Sequence, residues 1–313
     1  DVTSAADRLA AAEAAGAVGI INVDDPGFTI EPARWPEAYA RSVSLRDAPA
    51  PAAAGLAVMR ISPAGFKTLI ERGGQDADAI LADGAASQPL KAFDIPARLQ
   101  ARFNISRRDY GSDNVLALLP GSDPKLKAEV VVVSAHLDGY GHGEPVNGDG
   151  VYNGAFDDAA YVATLIRLAD QRHGRGFRRS VLFAALTGEE KGLLGSVWFT
   201  KHPTVPKADL AADINLDQVR PLFPLKILTV HAVNDTTLGS AVRSVAGPMG
   251  VEVRVDREPD RHLNQRADHW PFLSIGVPAT GFVFGYDPGT EAESRYREWY
   301  HTRYHRPQDD MTQ

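Results

Sequence analysis

Short apolar runs, each of about four to eight residues, recur through the second two-thirds of the chain. The stretches "NVLALLPG", "AEVVVVSAHLDG", "RSVLFAAL", "LAADINLD", "LKILTVHAV" and "GVPATGFVF" are each closed by glycine, proline or an acidic residue. Four consecutive valines, Val130 to Val133, suit a strand covered on both faces, as in a parallel sheet. Between the runs, Ala159 to Ala169 is apolar almost all round and predicts a buried helix, and Leu193 to Lys201 predicts another. Strands alternating with helices predict an α/β fold, a three-layer sandwich around a mostly parallel sheet.

The first third reads differently. An Ala-rich helix ends near Gly16, strands follow at Ala17–Val23 and Leu56–Ile61, and a helix runs from Pro63 to Arg72. "ARLQARFNIS" predicts a further strand, and the Pro/Gly-punctuated stretches "DDPGFTIEPARWPEAYA" and "DAPAPAAAG" predict loops. The expected division is a smaller α+β or β-rich domain over 1–110 and a larger domain over 111–313. The chain opens inside a helical pattern without an initiator Met and stops at "QDDMTQ" in mid-pattern, so both domains are expected to be trimmed at their outer ends.

Composition narrows the chemistry. A 44% hydrophobic and 23% charged chain is that of a folded protein, and a net charge of −7 speaks against a nucleic-acid partner. No apolar run reaches the roughly 20 residues of a membrane-spanning helix. With no cysteine, neither a disulfide nor a thiolate metal site is available, so any metal must be held by His, Asp and Glu.

Those residue types collect where an α/β sheet binds ligands, outside the carboxyl ends of its strands. The strand ending near Ser134 leads to His136 and Asp138. The one ending near Leu186 leads to Glu189 and Glu190, and the one ending near Leu216 to Asp217. A Gly-rich loop, "GYGHGEPVNGDGVYNGAFDD", adds Asp157 and Asp158. Taken singly, His136 reads as a buried histidine, Asp158 and Asp217 as caps, and Glu189 and Glu190 as charges at a helix start. Taken together they are a ligand set for zinc. Two cations about 3.5–4 Å apart would allow so many carboxylates to share one edge. One member of the Glu pair would then be a ligand and the other a general base beside the attacking water. His301 and His305 stand four apart, but no Glu follows the first, so the helical HExxH mechanism is excluded. His142, His173, His202, His231 and His262 read as surface or packing, and Asp268 and His269 as candidates to line a substrate pocket.

The string "HLD…NGAFDDAA…LTGEEKGLLGS…INLD…DHWPF…GVPA…YHRPQDD" resembles the co-catalytic di-zinc aminopeptidase family, over residues 112 to 313. That family includes secreted bacterial leucyl aminopeptidases, aminopeptidase Y and the glutamate carboxypeptidases. Residues 1–110 resemble, more loosely, the protease-associated domain that many members carry. The resemblance implies two Zn2+ and a peptide substrate. His136 and Asp217 would hold one zinc, Glu190 and the C-terminal His the other, and Asp157 would bridge them. Asp138 would orient the His136 ring, and Asp158 would support the site, joined to Asp157 by a cis peptide. Glu189 would be the general base. The family string Tyr-His-x-Pro-x-Asp matches Tyr304 to Asp309, which assigns the last ligand to His305 and leaves Tyr304 to hydrogen-bond the developing oxyanion. Family habit implies a secreted or periplasmic location.

The function implied is a zinc-dependent exopeptidase that cleaves the N-terminal peptide bond with a metal-bridged hydroxide. Three alternatives compete with it. A carboxypeptidase like the glutamate-releasing members would need cations for a substrate carboxylate, for which Arg220, Arg254 and Arg266 are candidates. A one-zinc cyclase of N-terminal glutamine would not need five ligands. A metal-free binding protein would not need the base.

Overall fold

The computed structural model describes residues 5–23, 42–48, 56–86, 88–96, 98–102, 104 and 106–313. The chain divides into two units, one of 46–109 with the described part of 1–39, the other of 110–313 with 42–45. The first contains helix α1 (Ala5–Ala14), strands β1 (Gly19–Val23) and β2 (Ala57–Ile61), and helices α2 (Pro63–Arg72) and α3 (Ala77–Ala85). β1 and β2 run parallel, with Gly19 opposite Ala57 and Val23 opposite Ile61. α2 starts where Ser62 Oγ accepts from the Gly65 N–H at 3.2 Å and Pro63 presets the first turn. The strand expected over "ARLQARFNIS" is not formed among its described residues. Positions 98–102 are exposed and lie against no strand edge, so no ladder can take up their backbone groups. The loop "DDPGFTIEPARWPEAYA" lies outside the described residues except for its neighbours up to Val23.

The second unit runs β3 (Val115–Leu119), β4 (Val130–His136), β5 (Gly141–Val146), β6 (Asp149–Tyr152), α4 (Ala160–Asp170), β7 (Ser180–Leu186) and α5 (Leu194–Lys201). It continues with β8 (Leu210–Asn215), β9 (Ile227–Val230), α6 (Leu238–Ala246), β10 (Glu252–Arg254), α7 (His269–Ser274), β11 (Ala279–Thr280), β12 (Phe282–Gly285) and α8 (Glu291–Thr302). Five strands make the main sheet in the order β11-β8-β4-β7-β3, parallel except for the edge strand β3. From β4 the chain passes through α4 to β7 on one side, then through α5 to β8 on the other. The strand order thus reverses at β4, which opens a crevice at its carboxyl end.

Both faces of this sheet are covered, as the unbroken apolar runs require. Leu182, Ala184 and Leu186 join Val130, Val132, Phe199 and Phe272 in a core on one face. The alternate residues Val181 and Phe183 join Ala135, Tyr161 and Leu165 on the other. The all-round apolar segment behaves differently from its pattern. α4 buries only the stripe carrying Tyr161 and Leu165, four apart, and leaves Ile166 65% exposed.

Two other expectations are revised. The Gly-rich loop contains an antiparallel hairpin, β5–β6, turned by Asn147-Gly148, both with positive φ (53° and 88°), the signature of a two-residue reverse turn. The run "GVPATGFVF" breaks at Gly281. Its first part, β11, joins the main sheet, whereas β12 pairs antiparallel with β9 in a separate sheet ordered β10-β9-β12.

Phe272 is fully buried between α5 and the sheet and stacks on Phe199 at 5.7 Å. Phe272→Ala is expected to destabilise this unit by about 3–5 kcal/mol through lost transfer energy and the cavity left behind. Urea denaturation followed by far-UV circular dichroism measures it, and a loss below about 1 kcal/mol would contradict the packing described.

Candidate metal centre

Each side chain at the crevice is delivered by a short segment that its local sequence bends. Gly188, with φ 68°, turns the chain sharply off β7 into the single tight turn Glu189–Lys191. There the main-chain N–H groups of Glu189 and Glu190 both donate to the Asp138 carboxylate, at 3.1 and 3.3 Å. The anchored turn sends the two acidic side chains in different directions. Glu189 Oε2 lies 3.9 Å from His136 Nε2, and Glu190 Oε2 lies 3.1 Å from His305 Nε2.

Asp157 and Asp158 sit in a π-turn, Ala155–Ala159, and are joined by a cis peptide. Gly154 precedes it with φ 67°, and a Cβ there would collide with the Asp157 carbonyl. Asp309 clamps the turn from the far end of the chain, its carboxylate accepting from the N–H groups of Phe156 and Asp157 at 2.9 and 3.0 Å. Asp157 then faces His136 Nε2 and His305 Nε2 at 3.3 Å each, and Arg220 Nη2 at 3.1 Å. Asp158 turns inward and accepts from the His136 N–H at 2.9 Å.

The potential ligand atoms fall into three overlapping groups, each spanning less than 4.8 Å: His136 with Asp158 and Asp217, Asp157 with Glu190 and His305, and His136 with Glu189 and Glu190. All the singled-out residues of the three strand ends therefore meet. His305, φ 54°, reaches the cluster from the loop after α8, stacked on Tyr304 at 3.6 Å, whereas His301 lies exposed on α8. Asp138 faces the His136 ring with its main-chain oxygen, 3.0 Å from Nδ1, and with its carboxylate, 3.7 Å from the same nitrogen, while that carboxylate also accepts from the Glu189 and Glu190 amides. Asp268 and His269 are fully buried, Asp268 accepting from Ser196 Oγ and His269 Nε2 bonded to Asn264 at 3.0 Å.

Burial and mutual repulsion control the charges. Desolvation, then the neighbouring carboxylates, push the carboxyls of Glu189 and Asp158 well above the usual range and that of Asp217 to about 6. For Asp157 burial also acts upward, but Arg220, His136 and His305 outweigh it and hold its carboxyl well below the ordinary value. Burial alone would lower both imidazoles. The facing carboxylates reverse that, raising His136 well above its normal value and His305 to about 9. Buried oxygens of Asp158 and Asp217 still lack a hydrogen-bond partner. Such an excess of buried anionic oxygen, with imidazoles among it, fits divalent zinc.

Arg220 is a participant that the sequence alone could not place. It is 2% exposed, bonded to Asp157, donates to Tyr300 Oη at 3.1 Å and lies over the Trp299 ring at 4.4 Å. Only folding brings those aromatics from α8 to a residue three past Asp217. The clamp role of Asp309 carried a signal, its place in the Tyr-His-x-Pro-x-Asp string.

Residues 114–313 match the model of Peptidase family M28. A probable zinc metalloprotease of Pyrenophora tritici-repentis is 30% identical over 200 residues, 54% of this chain and 45% of that protein. Aminopeptidase YwaD of Bacillus subtilis is 24% identical over 244 residues, 76% of this chain and 45% of that one. The crystal structure of BSAP, a zinc aminopeptidase from Bacillus subtilis, aligns with a TM-score of 0.45 and 23% identity over 63% of this chain and 45% of the other. The chain thus spans less than half the length of these relatives.

Zinc must displace the protons that the metal-free cluster retains. Below pH 9 the His305 imidazole is protonated, so the apparent zinc affinity of the metal-free protein is expected to rise at least about tenfold per pH unit between pH 6.5 and 8.5. Calorimetric titration at several pH values measures it, and a pH-independent affinity would remove both imidazoles from the ligand set.

Proposed function

The chain belongs to Peptidase family M28, and from that premise we propose that it is a zinc-dependent exopeptidase removing the N-terminal residue of peptides. The observation that carries the reading is the buried convergence of His136, Asp157, Glu190, Asp217 and His305, with the additional carboxylate of Glu189 beside them. His136 and Asp217 would hold one zinc, and Glu190 and His305 a second, with Asp157 available to both because its two oxygens face the two imidazoles at 3.3 Å each. Zinc supplies, when bound, Lewis-acid polarisation of the scissile carbonyl and a more acidic water.

The remaining work belongs to the chain's own groups. Glu189 is the general base. Its carboxylate lies 3.9 Å from His136 Nε2, beside the candidate ligands, where it can take a proton from the attacking water and return it to the leaving amine. Glu190 cannot share that task while its carboxylate is directed to His305 at 3.1 Å. Tyr304 donates its phenolic proton to the developing oxyanion. Its hydroxyl accepts from Arg266 Nη2 at 3.4 Å, and a hydroxyl that accepts from a cation is a stronger donor.

Two of the three arginines that a carboxypeptidase could use are engaged elsewhere, whereas Arg266 lies at the Tyr304 hydroxyl. Arg220 is buried against Asp157, and Arg254 is paired at 2.6 Å with both Glu252 and Asp287. Neither is positioned to receive a substrate carboxylate.

Glu189→Gln is expected to retain about the wild-type zinc content while kcat falls about 10²–10⁴-fold. Elemental analysis and hydrolysis of an aminoacyl anilide report both quantities, and undiminished turnover by the zinc-loaded variant removes Glu189 as base. Wild-type protein is expected to cleave a free peptide and to leave its N-acetylated form intact. Cleavage of the blocked peptide from its other end would transfer the assignment to a carboxypeptidase.

A further inference from the structure

β9 and β10 are parallel neighbours joined through α6, and a pocket of about 340 Å³ opens beyond their carboxyl ends. That is the position at which parallel strands leave room for ligands, and the volume falls in the range of about 300–1,000 Å³ typical of small-molecule sites. Its wall continues from β9 through Asp235, from β10 through Asp256, and is completed by residues between Pro259 and Gln265.

The wall is tied to the candidate metal centre through Arg266. Gln265 is followed by Arg266, which donates to the Tyr304 hydroxyl at 3.4 Å, and the Tyr304 ring stacks on His305. Asn264 bonds to His269 Nε2 at 3.0 Å, and His269 stacks on His231 at 5.5 Å. His231 itself lines the pocket, is 4% exposed, and its Nδ1 has no hydrogen-bond partner among the described residues.

The charge of the lining has one sign. Asp256 is half-buried and Asp235 stands at the exposed rim, and the lining includes no lysine or arginine. Burial holds the His231 imidazole below its ordinary pKa, hence neutral at pH 7. Arg261, within the closing segment, is directed to Glu258 and the Tyr296 hydroxyl at 3.2 and 2.8 Å. Arg243, outside the rim, donates to Asn234 at 3.2 Å.

We propose that this pocket receives the side chain of the substrate's terminal residue and selects a long cationic one, lysine or arginine, with Asp256 as the specificity-determining residue. The inference rests on the exopeptidase reading above. Val233 and Leu263 cover the aliphatic stem, as apolar surface does for such side chains. The charged end meets Asp256 and Asp235, with His231 Nδ1 as a further hydrogen-bonding group. Asp256 Oδ1 already accepts from the Glu258 N–H at 2.8 Å, so it is the second oxygen that a cationic end would meet and that a leucine side chain in the same space would leave uncompensated.

The test uses zinc-loaded full-length chain and lysyl, arginyl, leucyl and glutamyl anilides, with lysinamide binding to the Glu189→Gln protein measured by calorimetry. Lysyl and arginyl substrates are expected to exceed leucyl in kcat/KM by about tenfold or more, and Asp256→Asn to reduce that ratio about tenfold. Leucyl or glutamyl turnover equal to lysyl overturns the specificity and leaves the exopeptidase reading intact. No turnover of any substrate, with lysinamide bound in an Asp256-dependent way, overturns the exopeptidase reading and keeps the cation pocket. Should Asp256→Asn melt below the assay temperature, Asp235→Asn on the exposed rim takes its place with the same supporting and overturning results.

Discussion

Five carboxylates, those of Asp157, Asp158, Glu189, Glu190 and Asp217, are brought almost out of water at one edge of the main sheet. Only two imidazoles and the Arg220 guanidinium face them. In a low-dielectric setting such a cluster must either retain protons or acquire cations. The upward displacement of Glu189, Asp158 and Asp217 is the first response, and a zinc site is the second. Asp157, held ionised by Arg220 and both histidines, is the permanent anion around which the others are arranged.

The surrounding acids have a different task. Asp158, Asp138 and Asp309 each use a carboxylate on main-chain N–H groups: those of His136, of Glu189 and Glu190, and of Phe156 and Asp157. Every segment that bears a candidate ligand from β4, β7 or the π-turn is thus clamped by an acidic neighbour. Hydrogen bonds to charged acceptors are stronger than neutral ones, and they fix the backbone rather than the side chain. The ligand side chains keep their rotamers for the metal while their origins stay fixed, as a preorganised site requires.

His305 arrives on the loop after α8, and its support is aromatic. Tyr304 stacks on it, Tyr140 meets it edge-on at 4.7 Å, and Trp299 and Tyr300 pack behind Tyr304. The same aromatic layer covers Arg220. Through Arg266, which donates to Tyr304, it also reaches the segment that closes the β9–β10 pocket at Gln265.

The hydrophobic pattern by itself determined the strands of the main sheet and the ends at which His136, Glu189, Glu190 and Asp217 would appear, because strands buried on both faces leave long apolar runs. The choice of His305 over His301 rested on the family resemblance, whose Tyr-His-x-Pro-x-Asp string also includes the Asp309 that clamps the π-turn. Tertiary structure decided what depends on contacts between distant segments. Arg220 acquires its partners only when α8 covers it, and the Asp138 carboxylate takes up the Glu189 and Glu190 amides while still facing the His136 ring. The apolar face of α4 was overstated because composition cannot say which stripe meets a sheet. His231, unremarkable along the chain, became part of a pocket only when β9 and β10 came side by side, since a cavity is a property of the space between elements and of no single segment.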